Sequence, residues 1–291
     1  MIGKIFLIIF PLFAIAGAGY AYGRWRRPDM TFANQLNMDV FVPALVFHVL
    51  SGKSFDPQGY ATLAIAVLIV IAAVGVILTP LVLALRIEPR TIIPPMMFKN
   101  TGNMGLPLAV FAFGESALPA AVVIFVVSST LHFTLGTYIM NRRAGFLWIL
   151  RVPVIQATLA GVLFSLADWT LPQALATPVE MLGRVSIPLL LFSLGVRLTD
   201  IDLRDWRIGV IGASLCPVAG IAAAALALWL LPLAQTQAQQ LIIYGALPPA
   251  VLNYILAETY RREPRRVASI VLLGNLASLL SIPVVLAFVL R

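Results

Sequence analysis

The run Asn100-Thr101-Gly102-Asn103-Met104-Gly105-Leu106-Pro107 lies in the middle of an apolar stretch, and Gly245-Ala246-Leu247-Pro248-Pro249 interrupts a second such stretch about 140 residues later. Neither run favours an unbroken helix. Proline lacks the backbone N–H and its ring clashes with the preceding turn, and each glycine costs about 1 kcal/mol relative to alanine in a helix interior. Inside a bilayer the backbone groups freed by such a break meet no water, so the broken segments must face protein or an aqueous cavity. A half-helix starting after Pro107 and another starting near Ala250 would each point an N-terminus, worth about half a positive charge, at the membrane centre. Two such ends suit a carboxylate. The amides of Asn100, Asn103 and Asn253 add neutral donors and acceptors nearby, and Tyr244 and Tyr254 add aromatic walls with a hydroxyl.

The surrounding chain is membrane-like throughout. Of its 291 residues 60% are apolar and 11% charged, with a mean hydropathy of +0.97, so lipid is its solvent. A helix needs roughly 20 apolar residues to cross the hydrocarbon. Spans of that kind are predicted near 5–22, 35–52, 60–85, 92–113, 119–140, 153–168, 178–197, 207–230, 240–259 and 267–290.

A net charge of +8 would fit nucleic acid if the basic residues were clustered on one surface, but they are distributed by loop. Those following odd-numbered spans hold Arg24, Arg26, Arg27, Arg86, Arg90, Lys99, Arg142, Arg143, Arg151, Arg197, Arg204, Arg207, Arg261, Arg262, Arg265 and Arg266. The other side keeps Lys4, Lys53 and Arg291, and Arg184 falls inside a span. This positive-inside bias predicts a multi-pass protein of the cytoplasmic membrane with both termini outside the cytoplasm and no nucleic-acid partner.

The two breaks belong to a wider internal similarity. Pro11 to Gly19 resembles Pro153 to Gly161, the VFVPALVF stretch from Val40 resembles VSIPLLLF from Val185, and LPLAV from Leu106 resembles LPPAV from Leu247, all at nearly one offset. Five spans per half is an odd number, so the second copy enters the membrane inverted. The expected fold is therefore all-α, with ten transmembrane helices in two inverted five-helix repeats, 1–140 and 153–291, and broken fourth and ninth helices.

Ionisable groups within spans are functional candidates. Asp39 and Arg184 occupy matching positions in spans two and seven, where coupling or gating competes with an interfacial role. His132, inside span five, could carry a proton or simply pack; His48 falls near the outer end of span two. Asn275, in span ten, could touch substrate or support the break. No acidic residue lies at the breaks, which argues against a sodium site. The single Cys216 excludes an intramolecular disulfide and suggests no metal. Zincin, phosphate-loop and nucleophile-elbow patterns are missing, so neither an enzyme nor a cofactor is expected.

FVPALVFHVLSGKSF from Phe41, KNTGNMGLPLAVFAFGESAL from Lys99, ALPPAVLNYILAETY from Ala246 and SIVLLGNLASLLSIPV from Ser269 resemble the auxin efflux carrier family, which includes bacterial organic-acid carriers and plant PIN exporters. The resemblance covers nearly the whole chain. It implies spans four and nine crossing at prolines, here Pro107 and either Pro248 or Pro249. It further implies a scaffold of spans one, two, six and seven, a mobile transport domain built from the rest, elevator movement as in bile-acid symporters and NhaA-type antiporters, and a homodimer. The implied cargo is an organic anion, held by Asn100, Asn103, Gly105, Pro107, Leu108, Pro248, Pro249, Asn253 and Asn275. A sodium-coupled bile-acid-like symporter and a passive anion channel stay open as alternatives. About a dozen residues, Asn141 to Val152, join the halves, where plant members carry a long polar insertion.

Overall fold

The computed structural model describes residues 2–53, 55–142, 147–199 and 205–290. Arg143, Arg204 and Arg291 of the basic tally lie outside the described residues. Among those described the protein is all helical, and the only strand-like feature is an isolated antiparallel bridge between Lys99 and Pro249.

Helix α1 is Ile2–Arg26, α2 covers 31–50, α3 is Pro57–Ala84, α4 Pro89–Met97, α5 Thr101–Phe113 and α6 Glu115–Met140. In the second half α7 is Pro153–Leu166, α8 Gln173–Arg197, α9 Trp206–Leu230, α10 Gln235–Ala246, α11 Leu252–Thr259 and α12 Pro264–Val289. Six of these, α1, α3, α6, α8, α9 and α12, are long and apolar enough to cross a membrane singly. The 28 residues of α3 extend about 42 Å at 1.5 Å each, more than the roughly 30 Å of hydrocarbon. Its start is fixed locally: Asp56 accepts from the N–H groups of Gln58 and Gly59, both at 3.0 Å, and Pro57 fills a first-turn position that needs no donor.

Spans four and nine are each two helices rather than one. Helices α4 and α5 divide at Phe98 to Asn100, and α10 and α11 divide at Leu247 to Val251. The first break therefore does not fall at Pro107. Helix α5 already begins at Thr101, where the Asn100 side chain caps it by accepting from the Asn103 N–H at 3.2 Å. Pro107 lies inside that helix after a π-turn, Thr101–Gly105, and proline is tolerated in the opening turns because donors there have no intrahelical partner.

The helices pack in two groups. Helices α1, α2, α7 and α8 pack on one another; α3 to α6 and α9 to α12 form the other group around α9. Glycines set the closest approaches. A Cβ on Gly195 of α8 would lie 1.8 Å from the Ala16 carbonyl oxygen of α1, and one on Gly19 would lie 2.1 Å from that of Phe192. These helices meet backbone to backbone, as small residues allow where dispersion drives association.

Candidate functional site

The two breaks meet. After α4 the chain runs extended through Phe98, and after α10 it runs extended through Leu247 into Pro248 and Pro249. These segments lie antiparallel: the Asn100 N–H donates to the Pro248 carbonyl at 2.8 Å, and the Ala250 N–H donates to that of Phe98 at 3.0 Å. Each break thus satisfies the other's orphaned backbone groups, the condition for irregular chain at membrane depth. Proline suits 248 and 249 because an extended segment there accepts two hydrogen bonds and has no N–H to leave unpaired.

Three asparagines fasten the crossing. Asn253 Nδ2 donates to the carbonyls of Phe98 at 3.0 Å and Ala250 at 2.9 Å. Asn275 Nδ2 donates to Pro249 at 3.1 Å and Val271 at 2.8 Å, and its Oδ1 accepts from Asn100 Nδ2 at 2.9 Å. All three residues are buried. Asn103 differs: it is half-buried in the first turn of α5, and its side-chain amide makes no hydrogen bond among the described residues. Gly105 faces Leu247, Leu108 is buried beside Met104, and Pro107 is buried farther along α5.

A cavity of about 590 Å3 leads to Asn275. Leu194, Arg197 and Leu198 line one wall; Asp205, Tyr254, Glu258 and Arg265 supply polar lining from the other helix group. The Tyr254 hydroxyl donates to Glu258 at 3.0 Å. Arg197, the last residue of α8, is half-buried and has no hydrogen bond or ion pair among the described residues. A smaller apolar cavity, lined by Leu12, Met104, Leu108, Leu191 and Leu194, also touches Asn275. Tyr244, Gln240 and Thr101 border a separate pocket of about 20 Å3, with the Tyr244 hydroxyl and both polar atoms of Gln240 lacking a hydrogen-bond partner among the described residues. One water fits that space.

The remaining candidates lie apart from the crossing or serve it indirectly. Asp39 is exposed within a π-turn of α2. Arg184 is on the exposed face of α8, paired with Glu180 of the same helix at 2.5 Å. The His132 ring stacks on Phe98, with centroids 4.4 Å apart, and so buttresses the crossing. Lys99 carries a correction. Tallied as a loop residue, it is 2% exposed at the crossing itself, and its ammonium donates to the Cys216 carbonyl at 2.7 Å and to Cys216 Sγ at 3.0 Å. The signal was available, since Lys99 already fell inside the apolar stretch 92–113.

Residues 4–150 and 146–286 match the family described as membrane transport protein. The chain belongs to this family, the auxin efflux carriers. The carrier is 26% identical over 207 residues to a Rhizobium meliloti protein called a malonate transporter; the match covers 64% of this chain and 62% of that protein's length. It is 22% identical over 296 residues to an uncharacterised transporter of Methanocaldococcus jannaschii, covering 96% of both. Membership, long apolar helices and transporter relatives make it a multi-pass membrane transport protein rather than an enzyme.

Proposed function

We propose that this carrier moves carboxylate anions across the cytoplasmic membrane as a secondary transporter, holding them beside the crossing of α4–α5 and α10–α11. The observation that carries this reading is a cavity that has Arg197, without an ion pair among the described residues, on its wall and reaches Asn275, whose side chain accepts from Asn100 at the cap of α5, three residues before the Asn103 amide. Helix N-termini stabilise anions, and the arginine supplies the full charge needed to draw one in. Malonate, named for one relative, heads the substrates to be tried.

In this reading the ten rods form two inverted repeats, 1–140 and 153–291, with both termini outside. Helices α1, α2, α7 and α8 act as a scaffold that pairs in a homodimer, and the second group slides against it as an elevator. Segregation of the helices into two packing groups, with cavities between them, supports this division.

The deciding experiment is uptake into proteoliposomes across monocarboxylates, dicarboxylates and indole-3-acetate, with and without pH and sodium gradients. Saturable uptake of one anion class, with affinity weakened in Asn103→Ala, is expected. Silence across the panel overturns the proposal, and a current that does not saturate replaces it with a channel.

A further inference from the structure

The apolar part of α1 begins at Ile5, and about 20 residues later the helix leaves the hydrocarbon, which places Arg24 to Arg27 among the lipid headgroups. Tyr20, Tyr22 and Trp25 are exposed around that turn, as aromatic rings are at a membrane–water interface. Arg26 has a partner, for its guanidinium lies 3.9 Å from the centroid of the Trp25 ring, a cation–π contact. Arg24 and Arg27 have none. They line a cavity of about 410 Å3 with Gly23, Pro28, Val196 and Thr199, and neither has an ion pair among the described residues. The carboxylate of Asp29, two residues beyond Arg27, accepts instead from the Thr31 N–H at 2.8 Å.

Backbone groups at the cavity are already engaged. The Gly23 carbonyl accepts from the Arg27 N–H at 2.9 Å, and that of Val196 accepts from both the N–H and the hydroxyl of Thr199, at 3.0 and 2.8 Å. Gly23 sets the approach of the two helix ends: a Cβ there would stand 2.9 Å from the Thr199 methyl and 3.2 Å from the Val196 Cα. Its missing side chain lets the end of α1 close against the end of α8. Val196 and Thr199 line this cavity, whereas Arg197 and Leu198 line the one that reaches Asn275, so the end of α8 separates the two.

Two unpaired guanidiniums beside one cavity suit a phosphate, which their planar forks bind bidentately. Free phosphate shares that chemistry, but headgroup depth and the surrounding rings favour a phosphate carried by a lipid, as in basic pockets between membrane helices. We propose that Arg24 and Arg27 form a binding site for the phosphate of an anionic phospholipid, which fastens the end of α1 to the end of α8. The site lies wholly within the group of α1, α2, α7 and α8 and is independent of the anion reading.

The test is the melting temperature of the purified protein in neutral detergent, with added short-chain phosphatidylglycerol, short-chain phosphatidylcholine or inorganic phosphate at equal ionic strength. Phosphatidylglycerol should raise it by at least about 3 °C, as a ligand of the folded state does, and the other two should leave it unchanged. The double variant Arg24→Gln/Arg27→Gln should lose most of that rise, and Arg24→Lys/Arg27→Lys should keep part of it, since the charge stays without the fork. An equal rise with phosphatidylcholine overturns the proposal, and an equal rise with phosphate replaces the lipid with a soluble anion. If the arginines only complement the helix dipole, the glutamine variant melts lower without lipid yet keeps its full response, which overturns the proposal as well. Should that variant fail to fold, Arg27→Gly decides. Arg27 has a φ of 47°, a left-handed conformation that glycine adopts without strain, so this variant keeps the fold. Its midpoint in a phosphatidylglycerol titration should rise about fivefold, as for losing one basic residue at an anionic surface, and an unchanged midpoint overturns the proposal. A silent uptake panel would defeat the transport reading and leave this result standing.

Discussion

The Asn100 side chain donates to the Asn275 side-chain oxygen at 2.9 Å, tying the first break to the last long helix. Asn275 also holds the Pro249 carbonyl, so one amide grips both strands of the crossing. Asn275→Ala removes three hydrogen bonds and leaves the buried Asn100 amide unsatisfied, each loss worth about 1–3 kcal/mol. Its melting temperature should fall by about 5 °C or more.

Asn103→Ala should behave differently. The side chain makes no hydrogen bond within the protein among the described residues, so melting should shift by about 1 °C or less, as for a substitution away from packed features. Its effect should appear in transport, as a rise in KM of about tenfold for the loss of one hydrogen bond to an anion. An unchanged KM would move the anion site away from α5.

Proline and asparagine make the crossing legible in the sequence, because few other roles suit Pro248-Pro249 and three amides within apolar stretches. Side-chain direction was not legible. Pro107 looked like the break because a proline usually ends a helix, whereas a π-turn upstream absorbs it. Lys99 follows an odd-numbered apolar run and so groups by sequence with the loop arginines, whereas in the fold it is buried where its backbone bridges to Pro249. Asp39 and Arg184 stood out as intramembrane charges, yet helix rotation leaves both exposed.

Asp39→Asn and Arg184→Gln should therefore leave uptake and its response to a pH gradient within about twofold of the parent, since neither side chain lines the cavities that reach Asn275. Loss of pH-driven uptake in Asp39→Asn would restore that residue as a coupling group.

Arg197 carries the opposite expectation. It is half-buried at the cavity wall with no carboxylate partner among the described residues, so it is available to an incoming anion. Arg197→Met should raise KM for a carboxylate by about 10- to 100-fold, as expected for losing a charge-assisted hydrogen bond of about 1.5–3 kcal/mol. Arg197→Lys should recover part of the loss, because the charge returns without the planar fork. Equal KM values would show that the anion never meets this wall.

Movement of one helix group against the other is testable at Leu108 and Leu191. Both line the apolar cavity between the groups, Leu108 from α5 and Leu191 from α8. If α5 travels past α8 in each cycle, joining cysteines at these positions with a short bifunctional maleimide should abolish uptake, and cleaving a reducible version of the linker should restore it. The same linkage between positions 47 and 164 provides the control. Phe47 and Phe164 are in edge contact within one group, with centroids 5.3 Å apart, so joining them should leave uptake unchanged. The native Cys216 has no exposed surface and should stay unmodified, because thiol reactivity requires access. Full uptake by the quantitatively linked 108–191 protein would mean that these two faces keep their contact throughout transport, and the elevator would have to give way to a mechanism in which the crossing stays fixed against α8.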